Sequence, residues 1–216
     1  PLSKPALATL AIEPLYVLTD TAIVGRLGTI PLGGLALAAT VLNTLMWIMN
    51  FLSFGTTSRV AFLTGRGQHR EAAASAAQAL WLAVFAGVAV GAGLALSAPW
   101  LVSALGGQGG VRAAAVTYMR ILAVGIPMML IPLASQGYLR GLSDTRTALR
   151  IVLVANAVNL VLEVVAVYGL ELGVAGSAWS TVIAQAGVAA VFAVLVGRRV
   201  RDLDAPLRPN GREIRG

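Results

Sequence analysis

Six apolar runs, each of about 20 residues or more, divide this chain, and that length is what a helix needs to cross a bilayer core of about 30 Å. They are Pro5–Leu27, Leu35–Phe54, Ala76–Trp100, Val116–Gly137, Leu149–Tyr168 and Val174–Val196. Only 12% of the 216 residues are charged, against 57% hydrophobic. A soluble domain carries about 25% charge because water covers it, so lipid is expected to cover much of this one. The chain has 24 Gly. Small residues at that density suit helices that pack backbone to backbone inside lipid. The fold class that follows is all-α: a polytopic membrane protein with a six-helix lobe over residues 1–197. Residues 198–216, rich in Arg with Pro206 and Pro209, read as a basic tail or linker.

Charge fixes the orientation. Lys4, the segment Arg59, Arg66 and Arg70, the segment Arg140, Arg146 and Arg150, and the tail residues Arg198, Arg199, Arg201, Arg208, Arg212 and Arg215 fall on one side of a six-span chain. Only Arg26, Arg112 and Arg120 fall on the other. The positive-inside rule places the first side, with both termini, in the cytoplasm, as a multi-pass protein of the inner (plasma) membrane. Basic residues confined to short connections do not form the stripe that nucleic acid requires, so no nucleic-acid partner is expected. The absence of Cys excludes thiol chemistry. His69 stands alone in a basic connection, without companions at ligand spacing. The first run is no cleavable signal peptide, because Glu13, Pro14 and Asp20 interrupt it.

Polar residues inside the runs carry the functional information. An acid near the middle of a membrane helix costs about 2.5–3.5 kcal/mol on insertion scales and marks function by default. The first run holds Thr9, Glu13, Tyr16 and Asp20 at helical spacing, with Pro5 and Pro14 positioned to bend it. The second holds Asn43, Trp47 and Asn50, the fifth Asn156, Asn159 and Glu163, and the sixth Ser177, Thr181 and Gln185. Each set forms one face. At about 1.5 Å per residue, Asp20, Glu163 and Thr181 come to lie about 22, 21 and 20 Å from the inner edge. Two carboxylates at one level in a poorly solvated cavity cannot both stay ionised cheaply. A proton relieves the conflict, and so does a small hard cation held by carboxylate, amide and hydroxyl oxygens. Asp20, Asn159, Glu163 and Thr181 are the candidate proton or cation site. Glu13, Tyr16, Asn43, Asn50, Asn156 and Gln185 are candidate cavity-lining residues, with interhelical hydrogen bonding as the plainer reading of the four amides.

Four stretches resemble the multidrug and toxin extrusion (MATE) transporters, in particular their DinF-type branch. They are Asp20-Thr-Ala-Ile-Val-Gly-Arg-Leu-Gly28, Leu139-Arg-Gly-Leu-Ser-Asp-Thr-Arg146, Asn159-Leu-Val-Leu-Glu163 and Gly173-Val-Ala-Gly-Ser-Ala-Trp-Ser-Thr181. The resemblance implies the amino-terminal six-helix lobe of a twelve-helix antiporter that exports organic cations, drugs or amphipathic compounds against H⁺ or Na⁺. It implies no cofactor beyond the coupling ion, and no metal other than Na⁺ at the cation site. It assigns Asp20, Asn159, Glu163 and Thr181 to that site, and helix bending to Pro5. The family commonly carries Asp where Glu163 stands. The implied partners are membrane lipid, a small-molecule substrate and a second six-helix lobe, whether on another chain or in a longer one.

Two rival readings are weaker. An intramembrane enzyme would need a nucleophile with a base or clustered ligands, and the one His lies outside the runs. A lipid or oligosaccharide flippase of related architecture would line its cavity with Arg, whereas these runs hold acids. Gly87 and Gly91 form a small-xxx-small pair expected to serve packing within the chain.

Overall fold

The structure, a computed structural model, describes residues 18, 19 and 21–206. Among these, every regular element is helical. Residues 21–25 (α1) belong to the first run. They are followed by α2 (Thr29–Met49), α3 (Phe51–Gly65), α4 (His69–Ala104), α5 (Gly109–Gly141), α6 (Thr145–Val164) with a π-helical turn (Val165–Gly169), and α7 (Gly173–Asp202). Five of the six runs are thus helices long and apolar enough to span a bilayer. The second is α2 and α3 together. Most of the first run, including Pro5, Glu13, Pro14, Tyr16 and Asp20, lies outside the described residues.

The helices outrun the apolar segments at both ends, because backbone hydrogen bonding continues after side chains turn polar. Arg198, Arg199 and Arg201, read as tail, form the last turns of α7. Pro31, which lies between the first two apolar runs, is the third residue of α2. The first turn of a helix tolerates Pro, since its N–H has no partner within the helix there.

The breaks are short, and three of them share one kind of helix end with the end of α7. Gly67, Gly106, Ser143 and Asp204 take positive φ, at 74°, 82°, 61° and 50°. Immediately after each, an N–H reaches back five residues: Gln68 to Leu63 O, Gly107 to Val102 O, Asp144 to Leu139 O and Ala205 to Val200 O, at 2.8–2.9 Å. These Schellman-type ends satisfy carbonyls that lipid could not. Asp144 then caps α6, its Oδ1 accepting from Thr147 N–H at 3.2 Å. Only Leu170, Glu171 and Leu172 separate the π turn from α7, so the last two spans form a tight hairpin.

α5 is the centre of the bundle and packs against α4, α7, α3 and α2. Glycines set how close these contacts are. Gly87 lies against the Pro127 backbone and Gly91 against the Ala123 carbonyl, so the α4 pair packs within the chain, as expected. Gly137 of α5 stands over Ser53 of α3. With no hydrophobic force between helices in lipid, this intimacy is what holds them together. Several hydroxyl groups are satisfied within their own helix: Thr56 Oγ1 donates to Leu52 O at 2.7 Å, and Thr57 Oγ1 to Ser53 O at 2.7 Å.

One apolar cluster joins Val60, Leu63, Ala72, Leu139, Ala148 and Val200. It therefore gathers the ends of α3, α5 and α7 with the starts of α4 and α6. The basic residues Arg59, Arg66, Arg70, Arg140, Arg146, Arg150 and Arg198 belong to those same ends, and Arg70 Nε donates to Asp204 O at 3.0 Å across them. The charge asymmetry of the sequence is thus an asymmetry between the two ends of the folded bundle.

Candidate functional site

α6 presents one polar face and one apolar face. Val154, Val158 and Val161 are exposed, while Asn159 is 4% and Glu163 1% exposed. The two lie one turn apart on the same face, neither is without a partner, and Asn156 on that face is half-buried. A carboxyl so fully withdrawn is costly in any helix of this kind. In α7, Ser177 and Ser180 are buried and Thr181 and Gln185 half-buried. The Thr181 hydroxyl donates to Ser177 O at 3.1 Å and that of Ser180 to the same carbonyl at 2.7 Å.

The hairpin sets these groups in register. Gly176 at the start of α7 lies against the Ala166 carbonyl, so close that a Cβ there would stand 2.9 Å from the oxygen. The two helices of the hairpin descend together from that point. At about 1.5 Å per residue, Glu163 lies about 4.5 Å below it, Thr181 about 7.5 Å, Asn159 about 10.5 Å, Gln185 about 13.5 Å and Asn156 about 15 Å. Polar groups from α6 and α7 therefore alternate down the hairpin as a ladder. By this count Thr181 falls between Glu163 and Asn159 in level.

The other candidates stand elsewhere. Asn43 is exposed on α2, on the same side as Trp47, which is 75% exposed, and α2 packs chiefly on α5. Asn50 is half-buried at the junction of α2 and α3. Its N–H donates to Trp47 O at 3.2 Å and its carbonyl accepts from Ser53 N–H at 3.0 Å, so the ladder tightens to i→i−3 there. The second span thus carries a local 3₁₀-type turn. Asp20, Glu13, Tyr16, Pro5 and Pro14 lie outside the described residues.

Two features near Glu163 escape sequence reasoning. The helix opens into a π turn at Val165, two residues after Glu163, and such turns recur at functional positions. From that turn the Tyr168 hydroxyl donates to Ile23 O at 2.8 Å, tying the fifth span to the first. Val-Ala-Val-Tyr-Gly carries no sequence mark of a π turn. The tyrosine at the end of an apolar run was the one available signal.

These elements define a polytopic helical membrane lobe with a withdrawn acid and a polar ladder on its inner side. A family model, MatE, matches residues 5–165, and the chain belongs to that family. It is 31% identical to Protein DETOXIFICATION 45, chloroplastic, of Arabidopsis thaliana, over 92% of this chain and 40% of that protein. It is 33% identical to DNA damage-inducible protein F of Escherichia coli K12, over 85% of this chain and 40% of that protein. Among solved structures, "Crystal structure of MATE in the bent conformation" superposes with a TM-score of 0.87 at 27% identity, over 99% of this chain and 48% of that one. "Outward-facing conformation of a multidrug resistance MATE family transporter of the MOP superfamily" gives 0.87 at 25%, over 98% and 48%. The chain spans less than half the length of the relatives it matches.

Proposed function

We propose that this chain forms one lobe of a secondary antiporter that exports organic cations or amphipathic compounds in exchange for H⁺ or Na⁺. It works by transport and not by covalent chemistry, with no cofactor beyond the coupling ion. The observation that carries this reading is Glu163, 1% exposed beside Asn159 on the inward face of an otherwise lipid-facing helix. A carboxyl held there exchanges its charge for a proton or is neutralised by a small cation. Either event changes the electrostatics of the bundle interior. The coupling set we propose is Asp20, Asn159, Glu163 and Thr181. Asp20 stands three residues before Ile23 in the sequence and Glu163 five before Tyr168, and the Tyr168–Ile23 bond joins those two segments. That supports a shared level for the two acids. Glu is one methylene longer than the Asp common in the resembling family, which favours H⁺ over Na⁺.

The basic end of the bundle is assigned to the cytoplasm of a plasma membrane, by the same positive-inside argument. The partner is a second six-helix lobe, against which alternating access works. The matched relatives, at more than twice this length, favour that arrangement. The test is transport by the product of the complete reading frame in sealed proteoliposomes. A fluorescent organic cation such as ethidium should move only when a pH or Na⁺ gradient is imposed. Equal movement with and without either gradient would overturn the antiport reading.

A further inference from the structure

The outer side of the α6–α7 hairpin carries a groove that coupling does not use. Val154, Val158 and Leu162 form one wall and Ile183, Gly187 and Val191 the other, around a hollow of about 560 Å³. Both walls are rows of every fourth residue, so the groove follows the helix axes. Arg150 stands at its end, on the first turns of α6. Val191 also lines a second hollow of about 580 Å³ that continues along α7 past Val194 to Arg198, Arg199 and Asp202. Both hollows are walled by apolar side chains and carry basic residues at one end, with Asp202 the one acid among their lining residues. Among the described residues, neither Arg150 nor Arg198 has a hydrogen-bond or ion-pair partner.

Length says what fits. From Arg150 to Leu162 is twelve residues, or about 18 Å of helix. Half of a bilayer core of about 30 Å is about 15 Å. The groove therefore spans one leaflet, beginning at the level where headgroups of the basic side lie and ending near the midplane. A groove shaped for an acyl chain, headed by guanidinium groups, matches a lipid that carries a negative phosphate and little else at its head. Basic pockets between helices on the cytoplasmic side have that preference on charge grounds alone.

We infer that the α6–α7 groove is a binding site for one anionic phospholipid of the inner leaflet, its acyl chain between Val158 and Gly187 and its phosphate on Arg150 and Arg198. The inference depends on the membrane placement of the bundle and not on the coupling ion or the exported substrate. Bound lipid would brace the hairpin that carries Asn159, Glu163 and Thr181 from its outer side.

Gly187 provides a clean perturbation. A Cβ built there meets nothing within 4 Å, so Gly187→Leu fills the groove without touching the packed core. The full chain, purified in mild detergent, is exposed to nanodiscs of phosphatidylcholine containing phosphatidylglycerol, and retained lipid is counted by native mass spectrometry. Wild type should retain phosphatidylglycerol in preference. Neutralising the two arginines (Arg150→Gln with Arg198→Gln) should reduce that preference by about fivefold for each charge removed. Gly187→Leu should lower retention while both arginines remain. Val158→Trp makes the same test from the opposite wall should Gly187→Leu not fold. Equal retention of the two lipids by wild type overturns the proposal. So does undiminished phosphatidylglycerol retention in the folded groove variant, which would reduce the contact to surface charge. Loss of the preference in the product of the complete reading frame overturns it as well, since the groove would then be covered by protein.

Discussion

Two glycines six residues apart on α4 give a sharp test of how the bundle is held. A Cβ at Gly87 would stand 2.5 Å from Pro127 Cα and 2.9 Å from Pro127 N, both backbone atoms in the middle of α5. A Cβ at Gly93 meets nothing within 4 Å. Gly87→Ala and Gly93→Ala add the same methyl group to the same helix, so the gain in helix propensity, about 1 kcal/mol, is common to both. They differ in packing alone. For the Gly87 methyl to reach the 3.4 Å of ordinary van der Waals contact, α4 and α5 must part by roughly 0.9 Å, and a proline ring cannot rotate aside. Overpacking of this kind costs about 1–3 kcal/mol. Gly93→Ala should therefore melt at or above wild type, and Gly87→Ala about 1–3 kcal/mol below Gly93→Ala. At roughly 2–4 °C per kcal/mol for a chain of this size, that is a separation of roughly 2–12 °C. Fluorescence-detected size exclusion after heating, in one detergent, measures it. Equal melting of the two variants would refute backbone-to-backbone packing of α4 on α5.

Two further outcomes follow from the described geometry. Ser143 holds φ 61°, a conformation that costs an L-residue roughly 1–2 kcal/mol, so Ser143→Gly should raise thermal stability, and a drop would show that its side chain supports the turn. Removing the hydroxyl that bridges to Ile23 O, by Tyr168→Phe, should cost about 1 kcal/mol and speed amide exchange at the π turn, whereas exchange unchanged from wild type would discount the tie between the first and fifth spans.

The legible part of this protein was whatever lipid forces on a sequence. Apolar runs long enough to span, glycine where backbones meet and arginine at one end all reflect constraints that act residue by residue. The Gly87/Gly91 pair was read correctly for that reason. The inward face of α6 was legible too, because Asn156, Asn159 and Glu163 cannot face hydrocarbon cheaply. Features decided by several residues at once were not. The left-handed turns at Ser143 and Glu171 lack glycine, the π turn at Val165 carries no residue that marks it beyond Tyr168, and the tightened turn at Asn50 falls inside an apolar run. Helix ends were placed too far in, since hydropathy falls off before hydrogen bonding does, as at Arg198 and Arg201. Asn43 reads in sequence like the half-buried amides Asn50, Asn156 and Gln185, yet lies on an exposed face beside Trp47. Nothing in a single sequence says which helix face meets the lobe's own core.

The claim on which the account turns is that the Glu163 carboxyl carries the ion whose movement drives export. The direct measurement compares Glu163→Gln with wild type, both expressed from the complete reading frame, in proteoliposomes under an imposed pH or Na⁺ gradient. An amide occupies the same space but cannot gain or lose a proton. Gradient-driven movement of the organic cation should fall to the level seen without a gradient, while equilibrium binding of that cation is retained. Gradient-driven export at the wild-type rate in the folded variant would contradict the account.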